Sequence, residues 1–246
     1  MTLELTSNQL QGFIEDVRVQ KYIGANVTLP FKTQILQYCD HLSPTAKTLG
    51  ALNTLYVRDG RVHGDNTDVY GFVANLDHEM PNWDKDKNAA IVLGAGGAAR
   101  AIIYALIQRK FKTITILNRT LENAHSLAQY FAKLTTNTAL NSDILDNFST
   151  YAPTANILIN ASSIGLNATK FDHLALDLLA PSTLVHDIVY SPLQTPLLKD
   201  ARNAGLKTVD GLGMLLHQAV PGFEKWFGVR PEVTSQLRQK VIATLR

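Results

Sequence analysis

Cysteine is almost absent: Cys39 stands alone in 246 residues. One thiol cannot form an internal disulfide, and the seven scattered histidines lack zinc-ligand spacing. Charge of one sign is equally scarce. A net charge of +2 implies neither a nucleic-acid partner nor an acidic membrane surface. No run approaches the roughly 18 apolar residues of a membrane span. Met1-Thr2-Leu3-Glu4-Leu5 lacks the basic and apolar regions of a secretory signal. Internal repeats and low-complexity tracts are missing too. A cytoplasmic protein with a small-molecule partner, no metal, and a monomeric or homodimeric state is expected. The chain is 46% hydrophobic, enough for one large domain or two modest ones.

What is present falls into two patterns. In the first third, residues 51–57 read as a strand, Asp59-Gly60 as a tight hairpin turn and 61–65 as the returning strand. Residues 34–39 have helical character after Pro30, and 44–49 form a short helix behind Ser43 as N-cap. From residue 89 the pattern alternates. Strands are predicted at 89–93, 113–117, 157–160, 184–188 and 207–209, with helices at 98–107, 121–131 and 195–204. That alternation predicts a parallel sheet with helices on both faces. The polar segment 79–88 reads as a boundary, and 212–245 as mostly helical, interrupted at Gly228-Val229-Arg230-Pro231. The expected fold class is α/β with two domains. One is an α/β substrate domain with a mixed sheet, built from 1–78 plus 211–246; the other is a Rossmann-like, doubly wound dinucleotide domain spanning 79–210.

Gly94-Ala95-Gly96-Gly97-Ala98-Ala99-Arg100 lies between a five-residue apolar strand and a helix, which is the context a dinucleotide loop requires. Glycines there allow a tight turn and close approach to a pyrophosphate at a helix N-terminus. The next strand ends in Asn118-Arg119-Thr120, with no acid to take the ribose hydroxyls. Arg119 is either a solvated surface arginine or the partner of a 2′-phosphate, and NADP is favoured as cofactor. Asn160 and Ser162 follow a strand and either line the nicotinamide side or cap a turn.

Upstream, three stretches set polar side chains beside Gly, Pro or a turn: Asn26-Val27-Thr28-Leu29-Pro30-Phe31-Lys32, Gly50-Ala51-Leu52-Asn53-Thr54 and Gly64-Asp65-Asn66-Thr67-Asp68. Together with the Gly94 loop, Asn118-Arg119-Thr120, Asn160-Ala161-Ser162-Ser163-Ile164-Gly165 and Asp210-Gly211-Leu212-Gly213-Met214 through Gln218, they run in order along essentially the whole chain. The chain resembles the shikimate dehydrogenase family.

The resemblance implies NADP-dependent, reversible reduction of 3-dehydroshikimate to shikimate, in aromatic amino-acid biosynthesis by way of chorismate. It implies Lys32 and Asp68 as the catalytic pair. Asn26, Thr28, Asn53, Asp68 and Gln218 would bind substrate, with Tyr190 close by. Gly94, Ala95, Gly96, Gly97, Ala98, Asn118, Arg119, Thr120, Ser162, Ile188, Gly211 and Met214 would bind the cofactor. The chemistry suits these residues independently. Ketone reduction needs hydride at carbon, which NADPH carries, and a proton at oxygen. A lysine ammonium beside that oxygen can donate the proton and stabilise the developing alkoxide, while Asp68 holds the lysine by a charge-assisted hydrogen bond.

Two departures from the family pattern stand out. Members normally begin with a strand, a Gly-Asn-Pro turn and a Ser-x-Ser-Pro element whose serines bind the substrate carboxylate; nothing before Gly24 resembles it. The chain reads as starting at the second strand, with the first strand and first helix missing, and Leu42-Ser43-Pro44 is a decoy. Two lost hydrogen bonds to a charged group would cost about 3–6 kcal/mol. An open sheet edge and an exposed apolar face are expected as well. A late-placed start codon or a truncated paralogue would each explain the gap. Secondly, many members carry a basic residue four positions beyond the arginine, where this chain has Glu122-Asn123, so NADP preference is expected to weaken without reversing. The competing readings are a quinate/shikimate dehydrogenase accepting NAD and a non-catalytic NADP-binding module.

Overall fold

The computed structural model describes residues 1–28, 30–172 and 174–245. The chain divides into two compact units. One comprises Met1–Tyr70 with Gln218–Glu232, the other Gly71–His217 with Val233–Arg246.

The first unit holds helix α1 (Leu10–Arg18), strands β1 (Gly24–Asn26) and β2 (His41–Leu42), helix α2 (Pro44–Leu49), and the hairpin β3 (Thr54–Arg58) and β4 (Arg61–Asp65). Helix α3 (Asp68–Glu79) begins here. The strands form a mixed four-stranded sheet in the order β1-β3-β4-β2, antiparallel except for the β2–β4 pair. Its apolar face carries Leu55 and Val62, which pack with Leu10, Ile14 and Val17 of α1. Those three sit at i, i+4 and i+7, one stripe of an amphipathic helix. The hairpin turns at Asp59 and Gly60, both with positive φ, as a two-residue turn of matching twist requires. Ser43 caps α2 by accepting from Ala46 N at 3.0 Å, and Gly50 closes that helix in the left-handed conformation.

Helix α1 precedes β1, so the chain does not begin at a strand with its helix missing, as the sequence suggests; its apolar stripe finds cover on the sheet. Among the described residues β1 pairs with β3 alone, and Val19 and Ile23 just before it are 72% and 53% exposed. The predicted strand at 51–57 starts three residues late, at Thr54. Residues 51–53 bond outside the sheet ladder instead, Leu52 N donating to the Lys32 carbonyl at 2.8 Å. The segment expected to be helical from residue 34 is 3₁₀ over Gln34–Tyr38.

The second unit alternates β5 (Ala89–Leu93), α4 (Gly97–Gln108), β6 (Thr113–Asn118), α5 (Leu121–Ala132), β7 (Ala139–Ile144), α6 (Phe148–Tyr151), β8 (Ile157–Asn160), β9 (Ile164–Asn167), β10 (Leu184–Asp187), α7 (Pro196–Asn203) and β11 (Lys207–Val209). Six of these strands form a parallel sheet in the order β11-β10-β8-β5-β6-β7. Consecutive residues Ala90 to Leu93 are all at most 1% exposed, so both faces of this sheet are covered. Strand order reverses between β5 and β8, where a doubly wound sheet opens its crevice. Strand β7 is not expected from the sequence. Its residues, Ala-Leu-Asn-Ser-Asp-Ile, are polar for a strand, and pairing with β6 at the sheet edge makes it one. Two helices complete the chain, α8 (Leu212–Phe227) and α9 (Ser235–Ile242). Pro221 inside α8 has no N–H for the His217 carbonyl, the last residue before the unit boundary.

Candidate functional site

In the first unit, polar side chains converge at the junction of β4 and α3. Asn66 builds the corner: its Oδ1 accepts from Asp68 N at 3.0 Å, and its Nδ2 donates to the Ala51 carbonyl at 3.0 Å. That turn places Asp68 as the first residue of α3, where the positive end of the helix dipole favours a carboxylate. Lys32 Nζ donates to Asp68 Oδ2 at 2.6 Å, with side-chain exposures of 15% and 9%. The other carboxylate oxygen accepts from Asn53 Nδ2 at 2.8 Å. Asn53 Nδ2 also lies 3.2 Å from Gln218 Oε1, which Thr67 Oγ1 approaches to 3.3 Å. On its acceptor side, Asn53 Oδ1 takes hydrogen bonds from Thr67 N at 2.8 Å and Thr54 Oγ1 at 2.9 Å.

Lys32, Asn53, Asp68 and Gln218, expected from the sequence, therefore form one network. Thr67 and Thr54, to which the sequence assigns no role, belong to it as well. Both lie inside the quoted motifs; the available signal is a hydroxyl next to the acid for Thr67 and next to the amide of Asn53 for Thr54. Asn26 faces Thr54 across the β1–β3 pair, and Asn26 and Thr28 are exposed on either side of buried Val27. Leu29 of the same motif lies outside the described residues. Ser43, the decoy, holds structure: besides capping α2 it donates to Asp65 Oδ1 at 2.5 Å. Tyr190 sits in the second unit, half-buried on the loop after β10.

The second unit gathers its expected residues in two groups. Gly94, at φ +104°, follows β5, and a Cβ there would lie 3.0 Å from Ser162 N, which follows β8. A side chain there would need the Ser162 backbone to give by a few tenths of an ångström, and the positive φ strains any residue but glycine. Gly96 N-caps α4 in extended backbone with nothing within 4 Å of a would-be Cβ, and the helix starts at Gly97. Ala95 and Ala98 flank that turn, partly exposed. A cavity of about 240 Å³ opens beside it, lined among others by Gly94, Asn118, Arg119, Thr120, Asn123 and Ser162. Asn118 Nδ2 donates to the Thr120 carbonyl at 2.9 Å, shaping the strand end so that Arg119 is exposed at the cavity. Phe171 and Leu145, unpredicted, supply its apolar wall.

Asn160 holds the turn after β8 together. It is fully buried, its Nδ2 donating to the Ile164 carbonyl and to Asp187 Oδ1, its Oδ1 accepting from Ser162 N and Oγ. Asp187 also accepts from Thr195 Oγ1 at 2.6 Å and Val189 N at 3.0 Å. Burial outweighs those donors and pushes its carboxyl up to about 6. Its neighbour His186, also fully buried, is pushed down to about 4 by the same desolvation.

Ile188, Gly211 and Met214 make the second group, at the carboxyl ends of β10 and β11. A Cβ on Gly211 would lie 2.2 Å from the Ile188 carbonyl oxygen, and Met214 is buried in the first turn of α8. Among the described residues no group of three or more His, Cys, Asp or Glu could hold a metal ion. None of the described helices is long and apolar enough to cross a membrane.

These features define a class: an α/β protein of two units, one with a buried-edge lysine–carboxylate pair, the other a Rossmann-like sheet with a glycine loop at its switch point. Comparison with known proteins sharpens this. The shikimate dehydrogenase substrate binding domain family matches residues 1–55, the shikimate / quinate 5-dehydrogenase family 77–212, and the shikimate 5′-dehydrogenase C-terminal domain family 211–241. The shikimate dehydrogenase (NADP(+)) of Chelativorans sp. (strain BNC1) is 48% identical over 91% of this chain and 78% of its own length. Among solved structures, a shikimate dehydrogenase in complex with NADP+ superposes with a TM-score of 0.89 at 32% identity, covering 99% of this chain and 84% of the other. Quinate dehydrogenase from Corynebacterium glutamicum, in complex with NAD, gives 0.87 at 29% identity, covering 95% and 82%. The chain belongs to the shikimate dehydrogenase family.

Proposed function

We propose that this chain is an NADP-dependent shikimate dehydrogenase, reducing 3-dehydroshikimate reversibly to shikimate in aromatic amino-acid biosynthesis. The observation that carries the catalytic assignment is the 2.6 Å Lys32–Asp68 contact, made within a network of amides and hydroxyls suited to a polyhydroxylated ring. Family membership and the geometry of the glycine loop support the cofactor.

NADPH, when bound, supplies the hydride. The Gly94–Gly97 turn would take the pyrophosphate against the N-terminus of α4, and Arg119 the 2′-phosphate, in a strand end that has no acid to repel it. Gly211, Met214 and Ile188 would face the nicotinamide half. Lys32 donates a proton to the substrate oxygen and stabilises negative charge developing there. Asp68 holds the ammonium by one oxygen, while its other oxygen stays on Asn53, so the acid is oriented before substrate arrives. Asn53, Gln218, Asn26 and Thr28 bind ring hydroxyls. The first unit, with Asp68 and Gln218, carries the substrate; the second carries the cofactor. We place the reaction in the cytoplasm, with the chain a monomer or homodimer.

The test is 3-dehydroshikimate-dependent oxidation of NADPH, run beside NADH and beside quinate in the reverse direction. Turnover with NADPH and dehydroshikimate supports the assignment. Faster turnover with NADH, or with quinate as the better substrate, would replace it with an NAD-linked quinate/shikimate dehydrogenase, and no turnover at all would leave an NADP-binding module.

A further inference from the structure

We infer that Asp210 is a positioning residue for the nicotinamide-side turn, locked in place by Asn75 of α3 and Arg238 of α9; the inference rests on the NADP reading above. All three residues lie in the second unit. Asp210 links β11 to α8, immediately before Gly211, and every acceptor it owns is taken by a different segment. Its Oδ1 accepts from Leu212 N at 3.0 Å, capping α8. Its Oδ2 accepts from Arg238 Nη2 at 2.5 Å, in an ion pair with side-chain exposures of 23% for Arg238 and 13% for Asp210. Its main-chain carbonyl accepts from Asn75 Nδ2 at 3.1 Å, across 135 residues of sequence.

A helix cap needs only the first of these bonds. The other two bring side chains from remote elements onto one turn. The turn is also closed from both sides. Asn75 is fully buried, and a Cβ at Gly213 would lie 1.8 Å from its Oδ1, an atom with no hydrogen-bond partner among the described residues. On the other flank, a Cβ at Gly211 would run into the Ile188 carbonyl. Arg238 Nη1 is likewise buried and unpartnered among the described residues. Unpaired buried polar atoms are unfavourable, and their concentration around this turn means packing has been set by the position of the Gly211–Met214 backbone rather than by local hydrogen-bond satisfaction. Met214 and Gly211 then meet the nicotinamide end in one fixed register, and Asp210 acts through them without touching the cofactor.

Asn75→Ala, Arg238→Gln and Asp210→Asn test this by separating the two ends of the cofactor. Binding of NADPH and of 2′,5′-ADP, which lacks the nicotinamide, is measured for each variant with kcat and both KM values. NADPH is expected to weaken about 3- to 10-fold, as loss of one hydrogen bond implies. Turnover should fall up to about 10²-fold through misplacement of the reacting centres. 2′,5′-ADP should bind as in the unaltered protein, and Arg238→Lys should recover most of the loss. Equal weakening of both ligands, or unchanged kcat and NADPH binding, would overturn the inference and leave a structural cap. Should Asn75→Ala or Asp210→Asn fail to fold, Arg238→Gln, at the least covered of the three side chains, still decides, and should Arg238→Gln itself fail, Arg238→Lys takes its place. Failure of the unaltered chain to bind 2′,5′-ADP would instead overturn the NADP reading beneath it.

Discussion

The two units meet their chemical tasks with different materials. Around Asp68 the first unit uses side chains: an ammonium, a carboxylate, two amides and two hydroxyls, tied by bonds of 2.6 to 3.3 Å. Around Gly94 and Gly211 the second unit uses backbone and the lack of side chains, with a would-be Cβ at 3.0 Å from Ser162 N in one place and 2.2 Å from the Ile188 carbonyl oxygen in the other. Proton transfer needs a titratable group at a defined point, whereas a pyrophosphate needs unobstructed N–H groups and a helix terminus. The first unit is thus vulnerable to losing atoms and the second to gaining them.

Substitutions can break this contrast. The largest effect belongs to Lys32→Ala: kcat should fall about 10²- to 10⁴-fold, as for loss of a general acid, with NADPH affinity unchanged by fluorescence titration. Normal turnover in that variant would remove Lys32 from the chemistry. Next in size, Arg119→Ala should cost about 10- to 100-fold in NADPH affinity, a charged hydrogen bond to phosphate, while NADH binding stays level. An equal loss for both cofactors would mean Arg119 shapes the loop instead of reading the phosphate.

Gly94→Ala inverts the logic by adding one methyl group. A left-handed alanine is strained and meets Ser162, so a loss of about 5- to 100-fold in NADPH affinity is expected with Kd for shikimate unaltered. Wild-type affinity would show that the loop yields easily. The last effect leaves activity alone and falls on stability. Asp187 is held at about 6 when folded, above the ordinary 3.8, so the folded state binds its proton more tightly. Its contribution is favourable below pH 3.8 and is lost as pH rises through about 6. Asp187→Asn removes that dependence, and its stability relative to the parent, followed by Tm, should rise between about pH 4 and 6 and then level, by at most about 3 kcal/mol. Parallel Tm curves across that range would place the Asp187 titration elsewhere.

Several elements are legible in the residues alone. Ser43 as N-cap and α2 at 44–49, the Asp59-Gly60 turn, and the strand–glycine loop–helix run from Ala89 are all written in neighbouring residues. Local signals suffice there, because a cap, a two-residue turn and an apolar run each work within a few positions. Strand β7 escapes such a reading because its composition is that of a loop, and only the edge of β6 makes it extended. Thr67 is marked in the sequence only by its place beside Asp68, and its contacts with Asn53 and Gln218 come from folding.

Residue types and their order were enough to settle the family, the glycine loop and the presence of Lys32 and Asp68, since each is a matter of chemical identity at a stated position. Which side chains meet was decided by folding. Asn53 reaches Gln218 across 165 residues, and Asn75 reaches Asp210 across 135. No periodicity in the chain encodes such a contact. Sheet register and burial select it, because a polar atom withdrawn from water must find its partner wherever the packed backbone brings one.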